Sequence, residues 1–566
     1  GTEAAEYKCV RKSHAFRDVT LEVDVCASIN AEPILPSYDT HAHPNRPDDI
    51  PRRTLDIGEA YLEAGLNITI NPDRTVIDDS DSQFDTWSPA ELHDAMEQHF
   101  SRIKGRWPNW QMWCLMASTF DNPRTGGIMF DARASVGGAG KAPERQGCAV
   151  FRNHSWFNDL VTNPVTQPQA AAMRKLLYTY VHEMGHAFNF LHSWDKSRPD
   201  ALSWMNYDWR YDSRNGANAF WDSFEFRFDD EELIHLRHAD RAAIIMGGEA
   251  WASGGHLEAP RGVSTELAGD APVELLLRSV GYFDFMQPVM LECRVRNLAD
   301  LSIDIDTNLN PEFGGLTLFV RRPDGRTLQY TPLLCQLAEA KLTTLKPLKA
   351  DAKEGEDRHS ENIYVSFGAD GYYFDAPGEY LVKAIYQGSG NLLIPSNVHR
   401  IRIAPPFSRE EDKMAQDYFN HDTGLAVYLN GSSSPFLQSG MDTLHEIVEQ
   451  FPKSRLAAHS ALTLAQNLQK PFFRPNEKNK LIRYRDAQPE AVLNLTKQIL
   501  DQQKRDDTTL TNLTYHQTRR LRAEAMAMTG ETDEAKRELG RLKRYLRKHG
   551  VNPPVLAQID AYADSL

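Results

Sequence analysis

One stretch, Tyr180-Val-His-Glu-Met-Gly-His-Ala-Phe-Asn-Phe-Leu-His192, decides how this 566-residue chain is interpreted. Apolar residues recur upstream of it at helical spacing, and Thr166 can cap a helix, so we expect a helix that begins near Thr166. His182 and His186 are four residues apart, which places both imidazoles on one face of that helix. Two neutral imidazoles at this spacing can hold one Zn²⁺.

The spacing of the next histidine requires a break in the helix. His192 follows His186 by six residues, and a straight helix would carry its ring away from the metal. The chain must therefore turn back after Phe188. Asn189 stands at that position, and asparagine is second only to glycine in adopting a left-handed backbone. We predict a positive φ at Asn189 and His192 as the third metal ligand.

The segment from His182 to His192 resembles the metzincin signature HExxHxxGxxH, with Asn189 in place of the glycine. Ser203-Trp-Met-Asn-Tyr207 resembles the methionine turn of that family, in the S-x-M-x-Y form of the astacin and serralysin branches. The resemblance implies a zinc ion on three histidines and Met205 as an apolar floor beneath them. It also implies that Tyr207, an extra metal ligand able to swing away, donates a hydrogen bond to the oxyanion.

The function implied is a zinc-dependent endopeptidase that hydrolyses peptide bonds in protein substrates. Zinc can lower the pKa of a bound water from about 15.7 toward about 7. Glu183, beside the first ligand, would take the proton from that water and pass it to the leaving amine. A strand expected over residues 127–130 could align an extended substrate by β-augmentation.

The alternative function is a binding or adhesion protein that keeps a catalytically degenerate metallopeptidase domain. The appended C-terminal regions are typical of partner-binding modules. The presence of Glu183 favours the peptidase, because a structural zinc site needs no base.

The length of the chain and the changes in its hydrophobic pattern predict several domains. Residues 1–255 are expected to form the mixed α/β (α+β) metzincin-like catalytic domain. Residues 271–405 show short alternating runs with turns, which favour an immunoglobulin-like β-sandwich. Residues 406–566 are typical of helices, and we expect an all-α, tetratricopeptide-like helical-repeat domain.

Local signals within the first domain predict individual elements. Arg17 to Cys26 alternates like a half-buried strand, and Trp110 to Phe120 is a second strand candidate. Ser88, Pro89 and Glu91 predict a capped helix that ends near His99.

Composition limits the partners. The net charge of −15 argues against nucleic acid, since phosphate binding needs clustered Lys and Arg. No apolar run approaches the roughly 18 residues of a membrane span. We expect a protein or peptide substrate, a protein partner bound through the sandwich or the helical region, and a secreted, periplasmic or cell-surface location. Among the six cysteines, Cys9 with Cys26 and Cys114 with Cys148 are possible disulfide pairs, and the sequence does not decide whether they form.

Other metal-site patterns are weaker. His41 and His43 mimic an HxH motif, but surrounding prolines favour a loop. His235 and His238 stand three apart in a charged helical stretch, where capping and surface roles are favoured. A downstream thermolysin-like ligand at Glu225 would need a helix, whereas residues 224–228 alternate like a strand. Cys9 or Cys26 as a latency switch has no supporting motif.

Overall fold

The computed structural model describes residues 13–101, 107–131, 144–252, 272–347, 355–388, 393–549, 551 and 553–566. The protein has a mixed α/β architecture with several sheets. The elements of residues 13–252 are β1 (Arg17–Cys26), β2 (Tyr38–Asp39), β3 (Thr54–Leu55), α1 (Ile57–Leu62), β4 (Leu66–Ile70), β5 (Val76–Ile77), α2 (Pro89–His99), β6 (Gln111–Ala117), β7 (Thr125–Met129), β8 (Gly147–Phe151), α3 (Gln167–Ala187), α4 (Asp208–Asn215), α5 (Ala219–Ser223), α6 (Asp230–His238) and α7 (Arg241–Ile244).

The predicted elements around α3 are confirmed. β1 has the expected bounds, and α2 begins with the capping box of Ser88 and Glu91. A second capping box, formed by Thr166 and Gln169, begins α3. Strands β4, β1, β6 and β8 are parallel, and β7 adds antiparallel to β8. Since α3 packs on β7 and β8, its histidine-bearing end lies over that side of the sheet.

Apart from one short 3-10 helix at Pro311–Phe313, the regular elements among the described residues of 272–404 are strands, as the alternating runs predict. They are β9 (Val273–Arg278), β10 (Tyr282–Phe283), β11 (Met290–Asn297), β12 (Ile303–Asp306), β13 (Leu316–Arg321), β14 (Thr327–Gln329), β15 (Cys335–Ala338), β16 (Leu342–Leu345), β17 (Arg358–Tyr364), β18 (Phe367–Gly368), β19 (Gly371–Tyr372), β20 (Gly378–Gln387), β21 (Leu393–Pro395) and β22 (His399–Ile403).

Two of the sheets in this region share one core. One has the order β10-β22-β20-β13-β14 with β21 on β20, and the other has the order β17-β11-β9. The alternating apolar residues of β11, β13 and β20 are buried together, as expected from their period of two. β15 leaves this region and pairs with β7 of the first sheet.

The C-terminal residues are mainly helical, with one interruption that the sequence analysis did not predict. The elements are α8 (Arg409–Tyr418), α9 (His421–Tyr428), α10 (Gln438–Gln450), α11 (Arg455–Gln469), β23 (Phe472–Pro475), β24 (Leu481–Arg485), α12 (Pro489–Arg505), α13 (Asn512–Met528), α14 (Thr532–Lys548) and α15 (Pro553–Ser565). Consecutive helices from α10 to α15 pack pairwise. The hairpin β23–β24 corrects the expectation of helices throughout, and the repeat assignment stays a prediction.

The hydrophobic cores cross the predicted domain boundaries. Leu334 and Leu337, around and within β15, belong to the core of the first sheet, and so do Phe473 and Leu481 of the hairpin. The core of the two β-sheets continues into α8 to α11. The three regions are therefore interlocked, and the predicted boundaries between them stay predictions.

Three local expectations need comment. Residues 224–228 form no strand, because Phe226 has a φ of 58° and turns the chain while its ring stays buried. Cys114 and Cys148 lie opposite each other in β6 and β8 as free thiols, without a disulfide. Cys9 lies outside the described residues. Within the described part of the chain, no helix is long and apolar enough to cross a membrane.

Candidate metal centre

Three histidine rings converge at the C-terminal end of α3. The candidate ligand atoms of His182, His186 and His192 all lie within 4.8 Å of one another, and all three residues are buried. The Nε2 atoms of His182 and His186 are 3.1 Å apart. Nitrogen ligands of a tetrahedral zinc ion at about 2.0–2.1 Å stand about 3.3 Å apart. The arrangement therefore has the size of a zinc site.

The hydrogen bonds of the three rings fix where their protons lie. Nδ1 of His182 is 2.7 Å from the carbonyl oxygen of Trp204, and Nδ1 of His186 is 2.8 Å from that of Phe190. Nδ1 of His192 is 3.3 Å from a carboxylate oxygen of Asp195. Since these oxygens accept hydrogen bonds, each Nδ1 donates, and each neutral ring turns an Nε2 lone pair toward the centre.

Burial keeps these rings neutral. It is the main cause that lowers the pKa of His182 and of His186 well below the ordinary value, with a further lowering by His192. Burial also lowers the pKa of His192, although Asp195 opposes the shift. Facing Nε2 lone pairs repel each other, and the Nε2 of His192 has no hydrogen-bond partner among the described residues. A cation at their meeting point would satisfy all three rings.

The turn that brings His192 to this point is left-handed, as predicted. Asn189 has a φ of 71° and follows the last turn of α3. Its side-chain nitrogen donates to the carbonyl of Ala243 at 3.1 Å, and its side-chain oxygen accepts from the N–H of Ala252 at 2.9 Å. Asparagine thus both accepts the backbone conformation and ties the turn to the segment after α6.

Glu183 is a buried carboxyl group beside the histidines. Neither of its oxygens has a hydrogen-bond partner among the described residues, and burial raises its pKa well above the ordinary value. The main-chain N–H groups of Leu337 and Met129 favour the charged carboxyl and partly offset that shift, but neither makes a hydrogen bond of good geometry to it. A Cβ on Gly127 would lie 2.7 Å from Oε1 of Glu183, so this glycine leaves the carboxyl its space. An unpaired buried carboxyl is costly unless it serves a ligand.

Met205 lies directly beneath the histidine helix. A Cβ on Gly185 would come within 2.4 Å of the Met205 sulfur, so the two residues are in close contact. The N–H of Met205 donates to the Ser203 hydroxyl at 3.0 Å, and that hydroxyl donates to Glu232. Lys196 pairs with Glu232 at 2.7 Å, with both side chains fully buried. This buried network fixes the turn below the metal ligands.

Tyr207 borders the site, and its hydroxyl is already engaged. The ring centroid is 5.1 Å from that of His192 and 5.6 Å from that of His182. The hydroxyl donates a hydrogen bond to the main-chain carbonyl of Gln336 in β15. The hydroxyl was predicted to lie at the site, but no feature of the sequence indicates its partner.

A second ring against His192 was missed by the sequence analysis. Trp194 stacks on His192 with centroids 4.2 Å apart and an interplanar angle of 11°. Gly314, at a φ of 70°, lies against the indole, where any Cβ would clash. The guanidinium carbon of Arg210 lies over the indole of Trp194, 4.5 Å from the ring centroid. The one sequence feature that could have indicated this stacking is the position of Trp194, two residues after His192.

The weaker metal-site candidates do not join this group. His41 bonds the carbonyl of Ile50 from the loop between β2 and β3. His235 is buried on α6 against the Phe188 carbonyl, whereas His238 and Glu225 are exposed. A separate cluster of possible metal ligands on α2 consists of His93, Asp94 and Glu97. There the Asp94 carboxylate already binds the side chains of Arg474 and Ser434.

Comparisons with known proteins do not indicate a function for this chain. No family model matches the chain, and no curated protein matches it. Among solved structures, a β-glucosidase from Listeria innocua aligns over 26% of this chain and 19% of its own, at 10% identity and a TM-score of 0.14. The same enzyme with isofagomine aligns over 69% and 46%, at 8% identity and a TM-score of 0.15.

An α2-macroglobulin fragment from Escherichia coli, domain MG7 to the C-terminus, covers 52% of this chain and 55% of its own, at 11% identity and a TM-score of 0.13. The chain thus spans about half or less of the length of the solved chains it matches. TM-scores this low carry no argument about fold or function.

Proposed function

We propose that the chain is a zinc-dependent peptidase whose metal is held by His182, His186 and His192. The observation that carries the proposal is the unpaired, fully buried carboxyl of Glu183 beside three convergent Nε2 lone pairs. Three neutral nitrogen ligands fit zinc and leave one coordination position open. A structural zinc site would have no use for an unpaired acid at this position.

The residues divide the chemical work as follows. Zinc held by these three histidines would supply Lewis acidity, which makes an attacking water easier to deprotonate. Glu183 accepts a proton from the attacking water and transfers it to the nitrogen of the leaving amine. Tyr207 donates a hydrogen bond to the carbonyl oxygen as negative charge develops there. Asp195 holds the tautomer of His192, and the carbonyls of Trp204 and Phe190 hold the other two rings.

A second candidate function is favoured by one specific observation. β15 covers the site, and all three histidines and Glu183 are at most 4% exposed. This arrangement suits a binding protein that keeps a degenerate metallopeptidase domain. The two candidates differ in one readout, because only a peptidase cleaves peptides in a manner that zinc removal abolishes and Glu183→Gln prevents.

The experiment that tests the proposal measures zinc content and peptide cleavage together. We expect about one zinc per chain and, once the site is opened, cleavage of unfolded protein substrates that a chelator stops and added zinc restores. His192→Ala is the matched metal-site variant and should lose the zinc. Zinc retention without cleavage, even after the site is opened, would favour the binding protein.

A further inference from the structure

β15 belongs by sequence to the β-rich middle region but pairs outside it. Its neighbours along the chain, β14 and β16, stay in the sheets of that region. Residues 330–341 therefore form an excursion that reaches the first sheet and returns. There β15 runs antiparallel to β7, which would otherwise be the edge strand on that side of the sheet.

The register places β15 directly across the candidate site. Leu337 lies opposite Gly127, the glycine that borders the Glu183 carboxyl. The carbonyl of Gln336 accepts the hydrogen bond of the Tyr207 hydroxyl, and that of Ala338 accepts one from the Trp209 indole at 3.1 Å. Gln336 and Leu337 thus contact or face groups that border the histidines, and Ala338 bonds the indole of Trp209, which packs on the Tyr207 ring.

An extended peptide binds a sheet edge through main-chain hydrogen bonds. The edge beside Glu183 is β7, and β15 already fills it in an extended conformation. The Tyr207 hydroxyl, which is assigned to a substrate carbonyl, is bound to a carbonyl of its own chain. Both interactions that a substrate would make are therefore made by residues 336–338.

We propose that β15 is an internal pseudosubstrate that occupies the peptide-binding edge and keeps the site latent until residues 330–341 are displaced. This inference rests on the proposed peptidase function, and it identifies the ligand of the β7 edge as an extended peptide. Displacement opens the edge, and the three histidines, which lie on α3 and just after its end, are not part of β15.

Side-chain contacts hold β15 in place. The Gln336 side chain accepts a hydrogen bond from Thr125 at 3.0 Å and donates one to Glu312 at 2.9 Å. Glu312 in turn accepts from the Tyr428 hydroxyl of α9. Cys335 and Leu337 are buried. Since Glu312 and Tyr428 lie in the middle and C-terminal regions, a partner that binds those regions is suited to release the strand.

A removable covalent lock tests the proposal in the full-length, zinc-loaded protein. Cys335 lies opposite Met129 in the β7–β15 register, and both belong to one buried cluster. Opposite residues of antiparallel strands are near disulfide distance, so Met129→Cys should bridge to Cys335 on oxidation. The wild type, oxidised in parallel, controls for the other thiols, and Met129→Ser controls for the loss of the methionine.

The opposite variant releases the strand. Leu337→Pro removes a main-chain donor from β15 and should weaken its pairing with β7. Thr343→Pro, in the exposed part of β16, is the matched control. The probe is a tripeptide hydroxamate, which needs both the zinc and the β7 edge, and binding is measured by calorimetry.

We expect Leu337→Pro to raise the affinity for the hydroxamate about tenfold or more, whereas Thr343→Pro leaves it unchanged. Oxidised Met129→Cys should not bind the probe, and reduction should restore binding to the level of Met129→Ser. Equal binding by wild type, Leu337→Pro and oxidised Met129→Cys would overturn the proposal. If Leu337→Pro does not fold, the oxidised and reduced lock decides. A released variant that binds the hydroxamate but cleaves no peptide leaves the pseudosubstrate standing and refutes the peptidase.

Discussion

The side-chain oxygen of Asn189 accepts a hydrogen bond from the main-chain N–H of Ala252, and so ties the turn before the third histidine to the segment after α7. The same amide donates to the carbonyl of Ala243. The asparagine therefore has two roles. It adopts a φ of 71°, and it bonds two distant main-chain groups. Glycine could take over only the backbone conformation, and valine could take over neither role.

Substitution of Asn189 separates these two roles. Asn189→Gly accepts the left-handed turn, so zinc should still bind, while the loss of two hydrogen bonds costs about 1–3 kcal/mol of unfolding free energy. Asn189→Val also strains the turn by about 1–3 kcal/mol, which should reduce zinc affinity about tenfold to a hundredfold. Zinc titration of both variants is the measurement. Equal zinc affinities would show that the left-handed turn does not position His192.

The contact between Gly185 and Met205 predicts a steric effect. The methyl group of Gly185→Ala would lie 2.4 Å from the Met205 sulfur, so Met205 must shift from its position beneath the histidines. We expect a loss of about 1–3 kcal/mol and weaker zinc binding. Gly540→Ala is the control, because its Cβ meets only the end of Arg544 and should stabilise α14 by about 0.5–1 kcal/mol. Denaturant unfolding with and without zinc would measure both. Unaltered zinc affinity in Gly185→Ala would remove the proposed role of Met205.

Glu91 predicts a pH dependence of stability. Burial raises its pKa to about 7, while Phe473 of the hairpin and Ser88 donate hydrogen bonds to it. Because the folded pKa exceeds the unfolded value, the contribution of Glu91 is full at low pH and is lost as pH rises through about 7. Relative to Glu91→Gln, the wild type should therefore lose stability between pH 4.5 and 7. Parallel unfolding-versus-pH curves for the two proteins would contradict this account.

Isolation of the first region predicts an exposed edge. A fragment of residues 1–255 lacks β15 and the apolar residues of the β23–β24 hairpin that complete its core. We expect it to be less stable than the full chain and to self-associate through β7. A synthetic peptide of residues 330–341 should reduce the association, and a scrambled peptide should not. A monomeric fragment as stable as the full chain would show that the region is autonomous.

Much of the site follows from local signals in the sequence. The capping box at Thr166, the spacing of the histidines and the asparagine at the turn are short-range features, and each has a direct steric or hydrogen-bonding cause. The alternating strands of the middle region follow from the same kind of signal. These features were predictable because residues near in sequence determine them.

The covering of the site was not predictable in this way. Gln336 lies 129 residues from Tyr207, and the four-residue strand that contains it has no alternating pattern to mark it. Gly314 against Trp194 and the β23–β24 hairpin on α2 are likewise contacts between distant parts of the chain. A single sequence carries periodicity but not the pairing of remote segments, so the edge of the first sheet was expected to be open.

The most direct test of the central claim compares Leu337→Pro with Leu337→Pro/Glu183→Gln, both loaded with zinc, against a library of unstructured peptides. The account predicts about one zinc per chain in both proteins, cleavage by the first, and a rate at least about a hundredfold lower in the second. Equal cleavage rates would contradict the role of Glu183. Zinc bound in both proteins without cleavage by either would contradict the peptidase itself.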